Sequence, residues 1–375
     1  MLPNPFIIAG AIPNEYFCDR VAETAKLVRL ISNLNNVVLI SSRRVGKTGL
    51  IDHCFDQKEI KDHFNTVYID ILQTSSLQEF TYIFGRRVFE ALAPRGKRII
   101  DSFINTLKSL SGKFGYDALS GAPSFSVQLG DISRPEYTLE EIFCFLDSQP
   151  HRCVIAIDEF QQITSYPEKN IEALLRSHIQ RCSNCNFIFA GSIQHLMTEM
   201  FVSNAKPFYR SASIMHLEPI PKQVYTEFAN SMFEAYDKRV EKKEIERIYD
   251  MFDGVTFFLQ SVLNVAFSAT QPGGNCGRAT IDEAIEEIIT DNQMMFRELL
   301  ATIPLRQKEL LISIAKNDPA TGITSASFMK ANGLSSASSV QAAAKKLLEM
   351  SVISRSENSY TVTDKFLALW LLRNY

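Results

Sequence analysis

The chain has 375 residues, of which 46% are hydrophobic and 22% charged, and a formal net charge of -3. That length exceeds one ordinary core and implies two or three compact units, while the balanced composition excludes disordered, fibrous and membrane-embedded classes. No aliphatic run approaches the ~20 residues that span a bilayer, the opening MLPNPFIIAG lacks the basic stretch of a secretory signal, and seven scattered cysteines fit a reduced compartment. A cytoplasmic setting is therefore expected.

Asp19 is placed to cap a helix that carries Val21, Ala25, Val28 and Ile31 at the 3.6-residue period and closes at the polar turn 33–36. Val37-Val38-Leu39-Ile40 follows, aliphatic on both faces as a central parallel strand covered by helices must be. Directly after it, Ser41-Ser42-Arg43-Arg44-Val45-Gly46-Lys47-Thr48 fits the pattern GxxxxGK[ST], with serine at the first glycine position, and a helix is predicted over 47–55. Further strands are predicted at 67–71, 154–157 and 187–190, separated by stretches of helical period. The fold class is α/β: a P-loop NTPase parallel sheet with helices on both faces. Between about 94 and 136 the pattern loosens into an insertion, where Phe125, Val127 and Leu129 alternate with polar residues like an edge strand or hairpin arm. Cys182 and Cys185 form a CxxC with His178 upstream, but no second pair completes the four ligands of a zinc site, so they read as unpaired thiols in a helix-to-strand loop.

After Pro219 and Pro221 the strands stop and helices are predicted at 225–236, 243–252 and 257–267. A break at 271–275 precedes Thr280 and Glu283, which read as a capping box opening the next helix. Three helices at 307–316, 325–331 and 338–350, then strands at 352–354 and 360–362 around a turn at 356–359, describe a winged helix-turn-helix. The expected domains are a P-loop ATPase α/β domain over 1–218, a helical lid over 219–300 and a winged helix over 301–375. The last of these carries nine basic side chains against five acidic ones in an otherwise acidic chain. In its third helix Val340, Ala344, Leu347 and Leu348 should face the core and leave Ser338, Gln341, Lys345 and Lys346 exposed. Bound to DNA, Gln341 would meet base edges, and Lys345, Lys346 and Arg355 of the wing would meet phosphates. The other reading is a domain that packs on protein, with these residues as solubilising surface.

A Gly-Lys-Thr tripeptide is weak by itself; its position between a buried strand and a helix gives it force. Backbone N–H groups and the helix N-terminus then converge on phosphate oxygens. Lys47 would reach the β- and γ-phosphates and Thr48 would ligate Mg2+. Val154-Ile155-Ala156-Ile157-Asp158-Glu159 supplies the other half: Asp158 for the Mg2+ shell and Glu159 to orient and polarise the attacking water. ATP and Mg2+ are the expected cofactors.

These motifs, with Phe17-Cys18-Asp19-Arg20, Ile157-Asp158-Glu159-Phe160, Phe189-Ala190-Gly191-Ser192 and Pro207-Phe208-Tyr209-Arg210, resemble the archaeal-type ATPases of the STAND group, relatives of AAA+ proteins, over nearly the whole chain. The resemblance implies that Phe17, Asp19 and Arg20 lie over the adenine. It makes Ser41, Ser42, Arg43, Arg44, Val45, Gly46, Lys47, Thr48 and Gly49 the phosphate-binding run. It places Ser192 at the sensor position beside the γ-phosphate and makes Arg210 a phosphate-sensing arginine. Two departures stand out: Ser41, and Thr256, which occupies a position where relatives often carry proline. The implied function is an ATP-hydrolysing, nucleotide-dependent switch. The alternative is a non-hydrolysing ATP-binding regulator or scaffold whose winged helix contacts protein. Output partner and oligomeric state stay open.

Overall fold

In the computed structural model, which describes residues 4–10, 12–116, 123–356 and 358–375, the strands in chain order begin with β1 (Val37–Ile40), β2 (Phe64–Asp70), β3 (Gly115–Tyr116) and β4 (Pro123–Ser124). They continue with β5 (Arg152–Asp158), β6 (Cys185–Gly191), β7 (Ser213–His216), β8 (Arg239–Val240) and β9 (Asn275–Cys276), and end with β10 (Ala320–Thr321), β11 (Ile353–Ser356) and β12 (Ser359–Val362). Five of them form one parallel sheet in the order β2-β5-β6-β1-β7. Successive residues alternate between its faces, as strand geometry requires. Val38, Ile40, Ile155, Ile157, Phe187 and Phe189 enter one core cluster, and Val37, Leu39, Val154, Ala156, Ile188 and Ala190 enter the other. The four predicted strands are present, each within three residues of its expected ends. β7 has no signature in the sequence because only Met215 of its four residues is buried; it forms where β1 offers its outer edge.

The insertion is more ordered than its sequence implies. Helix Lys97–Thr106 presents Ile100 and Phe103 to the sheet-side core, and Leu107, Leu110, Val127 and Ile132 join them there. Phe125 meets the rings of Phe103 and Phe114, 6.5 and 6.0 Å away. The expected strand through Phe125, Val127 and Leu129 is corrected: among the described residues of the insertion pairing is confined to β3 with β4, and 125–128 is irregular because its apolar side chains pack on helices instead of on a neighbouring strand. Part of the insertion, 117–122, lies outside the described residues. Two capping expectations are also corrected. Helix Val21–Ser32 has Arg20 at its N-cap with no side-chain cap, since Asp19 and Arg20 both take left-handed backbone, φ 55° and 66°. Helix Arg278–Thr302 starts after Gly277, which puts Thr280 inside its first turn.

The chain divides into two compact units, one within 11–220 and the other joining the N-terminal segment to 221–375. The first residues thus depart from the expected 1–218 domain. Phe6 is fully buried against Phe233 and Phe267, with ring centroids 5.5 and 5.8 Å away, and Asn264 donates through Nδ2 to the Phe6 carbonyl at 2.6 Å. This unit contains helices Lys222–Glu234, Lys242–Met251, Thr256–Ala269 and Arg278–Thr302. Helices Leu305–Lys316, Ala326–Ala331 and Ala337–Glu349 follow, with a three-stranded sheet ordered β10-β12-β11. Helix Lys365–Asn374 closes the chain. β10 and this last helix lie beyond the predicted elements. Helix Ala337–Glu349 buries Val340, Ala343, Ala344 and Leu347, half-buries Leu348 and exposes Ser338, Gln341, Lys345 and Lys346. Among the described residues no helix is long and apolar enough to cross a membrane.

Candidate nucleotide site

The site assembles at the carboxyl ends of β1, β5 and β6, the three interior strands of the parallel sheet. The chain leaves β1 at Ile40, turns through 41–46 and enters helix Lys47–Asp56. The two left-handed positions in that loop are Arg44, φ 65°, and Gly46, φ 97°. Ser41 is not among them, so the missing glycine removes no needed backbone freedom. Its hydroxyl has a use instead: it accepts from Lys47 Nζ at 3.3 Å and donates to the Ser42 carbonyl at 2.7 Å.

Lys47 is 7% exposed, and burial pushes its ammonium below the ordinary lysine value; Asp158 and Glu159 oppose that effect and Arg43 adds to it. Thr48 Oγ1 donates to Asp158 Oδ2 at 3.2 Å, and the Tyr68 hydroxyl donates to the same oxygen at 2.7 Å. The Glu159 backbone N–H donates to Asp158 Oδ1 at 2.9 Å, so both carboxylate oxygens are fixed. Parallel pairing of β2 with β5 sets Asp70 beside Asp158, with Tyr68 two residues back on β2. Burial, reinforced by Asp158, pushes the Tyr68 phenol up, so it remains a donor. Tyr68 lay outside the sequence reading because strand register, not spacing, brings it to the loop.

Glu159 has left-handed backbone, φ 54°, and its Oε2 accepts from Ser192 Oγ at 2.6 Å and from Gln161 Nε2 at 2.5 Å. Ser192 in turn faces Arg43 Nε at 3.5 Å. The phosphate loop, Asp158, Glu159 and Ser192 are therefore brought together. Arg20 is 3% exposed and directs its guanidinium to the Val45 carbonyl, 3.3 Å, and to Glu23, 2.7 Å, which ties the start of helix Val21–Ser32 to the loop. Phe17 stacks on His53 of the loop's helix, centroids 4.1 Å apart, and a Cβ at residue 49 would lie 3.6 Å from its ring, an ordinary contact. Asp19 is half-buried. Arg210 is not joined to this cluster: it is exposed, its guanidinium lies 5.2 Å from the Tyr209 ring, and its backbone N–H donates to Phe201. Thr256 stands at the first position of its helix, which proline also tolerates. Cys182 ends helix Ile171–Arg181 and Cys185 opens β6, both buried. Among the described residues no group of three or more His, Cys, Asp or Glu could hold a metal by itself. Thr48 and Asp158 are hard oxygen donors of the kind magnesium takes together with substrate phosphates.

A family model described as "ATPase domain predominantly from Archaea" matches residues 17–262, and one described as "Probable winged helix domain" matches 294–373. No curated protein matches the chain. Among solved structures, a Walker-type ATPase of Pyrococcus abyssi superposes with a TM-score of 0.67 at 18% identity, over 98% of this chain and 99% of that one. The ORC2 protein of Aeropyrum pernix, in ADPNP-ADP complexes, follows with 0.59 at 15% identity over 99% and 96%. The ORC1 protein of Aeropyrum pernix, in complex with DNA, gives 0.53 at 13% identity over 100% and 95%. At such identities the likeness is one of fold.

Proposed function

Since the chain belongs to the ATPase-domain family found predominantly in Archaea, we propose that it binds ATP with Mg2+ and hydrolyses it as a nucleotide-dependent switch of the STAND type. The observation that carries the reading is the meeting of Lys47, Thr48, Asp158 and Glu159 beside the loop 41–46. Lys47 places its ammonium for the β- and γ-phosphates, and Thr48 and Asp158 would hold Mg2+, which when bound neutralises charge on the phosphates. Glu159 orients and polarises the attacking water. Phe17, Asp19 and Arg20 border the adenine, and Ser192 senses the γ-phosphate. Arg210 reaches the phosphates only after a movement of its segment.

The winged helix supplies the output. Exposed Gln341, Lys345 and Lys346 with Arg355 of β11 make a face fit for DNA, and a fold relative from Aeropyrum pernix is itself in complex with DNA. The helical lid over 219–300 and the winged helix over 301–375 would respond to the bound nucleotide. Hydrolysis is tested by Glu159→Gln: nucleotide binding should persist while phosphate release slows by on the order of a hundredfold or more. Equal turnover in variant and wild type would favour a non-hydrolysing, ATP-binding regulator.

A further inference from the structure

We infer that Gln161 is a positioning residue for Glu159: its buried amide holds the carboxylate in the orientation from which the water is polarised. The inference rests on the hydrolytic reading and adds to it a residue that the phosphate-loop and acidic-pair motifs do not contain.

Three local features, each unfavourable by itself, converge on this contact. Glu159 takes left-handed backbone although it carries a side chain, and from there the chain enters the short turn Phe160–Ser165 that swings Gln161 back beside it. Gln161 is 3% exposed and donates through Nε2 to Glu159 Oε2 at 2.5 Å, while its Oε1 is buried with no hydrogen-bond partner among the described residues. A carboxylate only accepts, so turning the amide over would set two oxygens against each other; the orientation is dictated by Glu159 and leaves the carbonyl unpaired. At residue 191, a Cβ would lie 2.5 Å from Gln161 Oε1 and equally close to Met197 Cγ and Sδ, so the slot for the amide exists only because Gly191 has no side chain. Gln149 and Gln260 also leave a buried Oε1 unpaired, so what marks Gln161 is that its donor end meets the Glu159 carboxylate.

Ser192 holds the same oxygen at 2.6 Å, but a hydroxyl has one proton to donate. If the Ser192 hydroxyl turned to donate its hydrogen bond to a γ-phosphate oxygen, it would release Glu159, and Gln161 would be the hold that remains. Gln161 would therefore act on the glutamate while nucleotide is in place.

The test is ATP hydrolysis by the full chain in steady state and single turnover, comparing wild type, Gln161→Met, Glu159→Gln and the double variant. Gln161→Met should lower kcat about tenfold or more and leave KM and the ATP dissociation constant close to wild type. In the Glu159→Gln background the same change should have little further effect, because the group it orients is gone. An unchanged kcat in Gln161→Met, or the same proportional loss in both backgrounds, would overturn the inference. Gln161→Leu, which also lacks the donor, replaces Gln161→Met if thermal unfolding shows that variant to be misfolded. Absence of turnover in wild type is a separate outcome: it removes the hydrolytic reading, and the role of Gln161 with it.

Discussion

Thr48 Oγ1 donates to Asp158 Oδ2 across the gap between the phosphate loop and the end of β5, 3.2 Å apart. The two residues are 110 positions apart in sequence, yet they meet on one carboxylate oxygen that the Tyr68 hydroxyl also holds at 2.7 Å. This pair is where a magnesium ion would enter, and Tyr68 is poised to keep the carboxylate aimed at it.

Asp158→Asn should therefore weaken Mg2+-dependent ATP binding by on the order of tenfold or more, because it removes the charge and one of two acceptor oxygens. Tyr68→Phe should have a smaller effect of the same kind, about three- to tenfold, since it deletes one hydrogen bond to a charged acceptor. Nucleotide titrations with Mg2+ and with a chelator separate the two: the losses should be present with the ion and largely vanish without it.

Lys47→Ala should abolish measurable ATP binding, because the ammonium is the charge placed among the phosphate-loop amides for the β- and γ-phosphates. Ser41→Gly should instead retain binding within about threefold, as the serine hydroxyl engages Lys47 without any left-handed backbone at 41. Calorimetric titration of both variants checks this. Tight ATP binding by a folded Lys47→Ala protein would remove the phosphate-loop assignment.

Lys365 bridges Asp253 at 2.7 Å and Asp318 at 2.8 Å, and its side chain is only 14% exposed. Burial alone would lower its pKa, but the two hydrogen-bonded carboxylates outweigh that and raise it; its stabilisation is complete below the unfolded lysine value and lost as pH climbs through the higher folded one. Lys365→Met should cost about 1–3 kcal/mol at neutral pH, nearly all through Asp318, since Asp253 is largely solvent-exposed. Burial holds the Asp318 carboxyl above its ordinary value even with Lys365 present, so the folded state of the variant binds a proton more readily than the unfolded state. The deficit should then shrink as pH falls through the folded Asp318 value. Urea unfolding at neutral and acid pH measures both parts; a pH-independent deficit would assign the effect to lost packing.

Lys345→Ala with Lys346→Ala probes the output face. Both lysines are exposed on helix Ala337–Glu349, although Lys346 pairs with Glu349 at 2.8 Å. If DNA is the partner, wild-type affinity should fall steeply with salt, and the double variant should show a slope shallower by about two units. No duplex binding at low salt with either ATP or ADP would make a protein the partner.

The phosphate loop and the acidic pair were legible because each is a short contiguous run whose chemistry is printed in order: a buried strand, then the residues that leave it. The same holds for the four sheet strands and for the exposed face of helix Ala337–Glu349, since burial on two faces or on one stripe writes itself into local period. Tertiary structure alone decided which residues complete the site. Tyr68 reaches Asp158 through the register of β2 on β5, Gln161 reaches Glu159 through the left-handed backbone of Glu159 and the turn that follows it, and Gly191 matters for the Cβ it lacks beside an amide thirty residues earlier in the chain. The same is true of β7, which needs the edge of β1, and of Phe6, whose aromatic partners lie more than 200 residues away. Local sequence encodes what a segment becomes through its own backbone preferences and burial pattern; which distant group stands against it is set by packing, and no local signal carries that information.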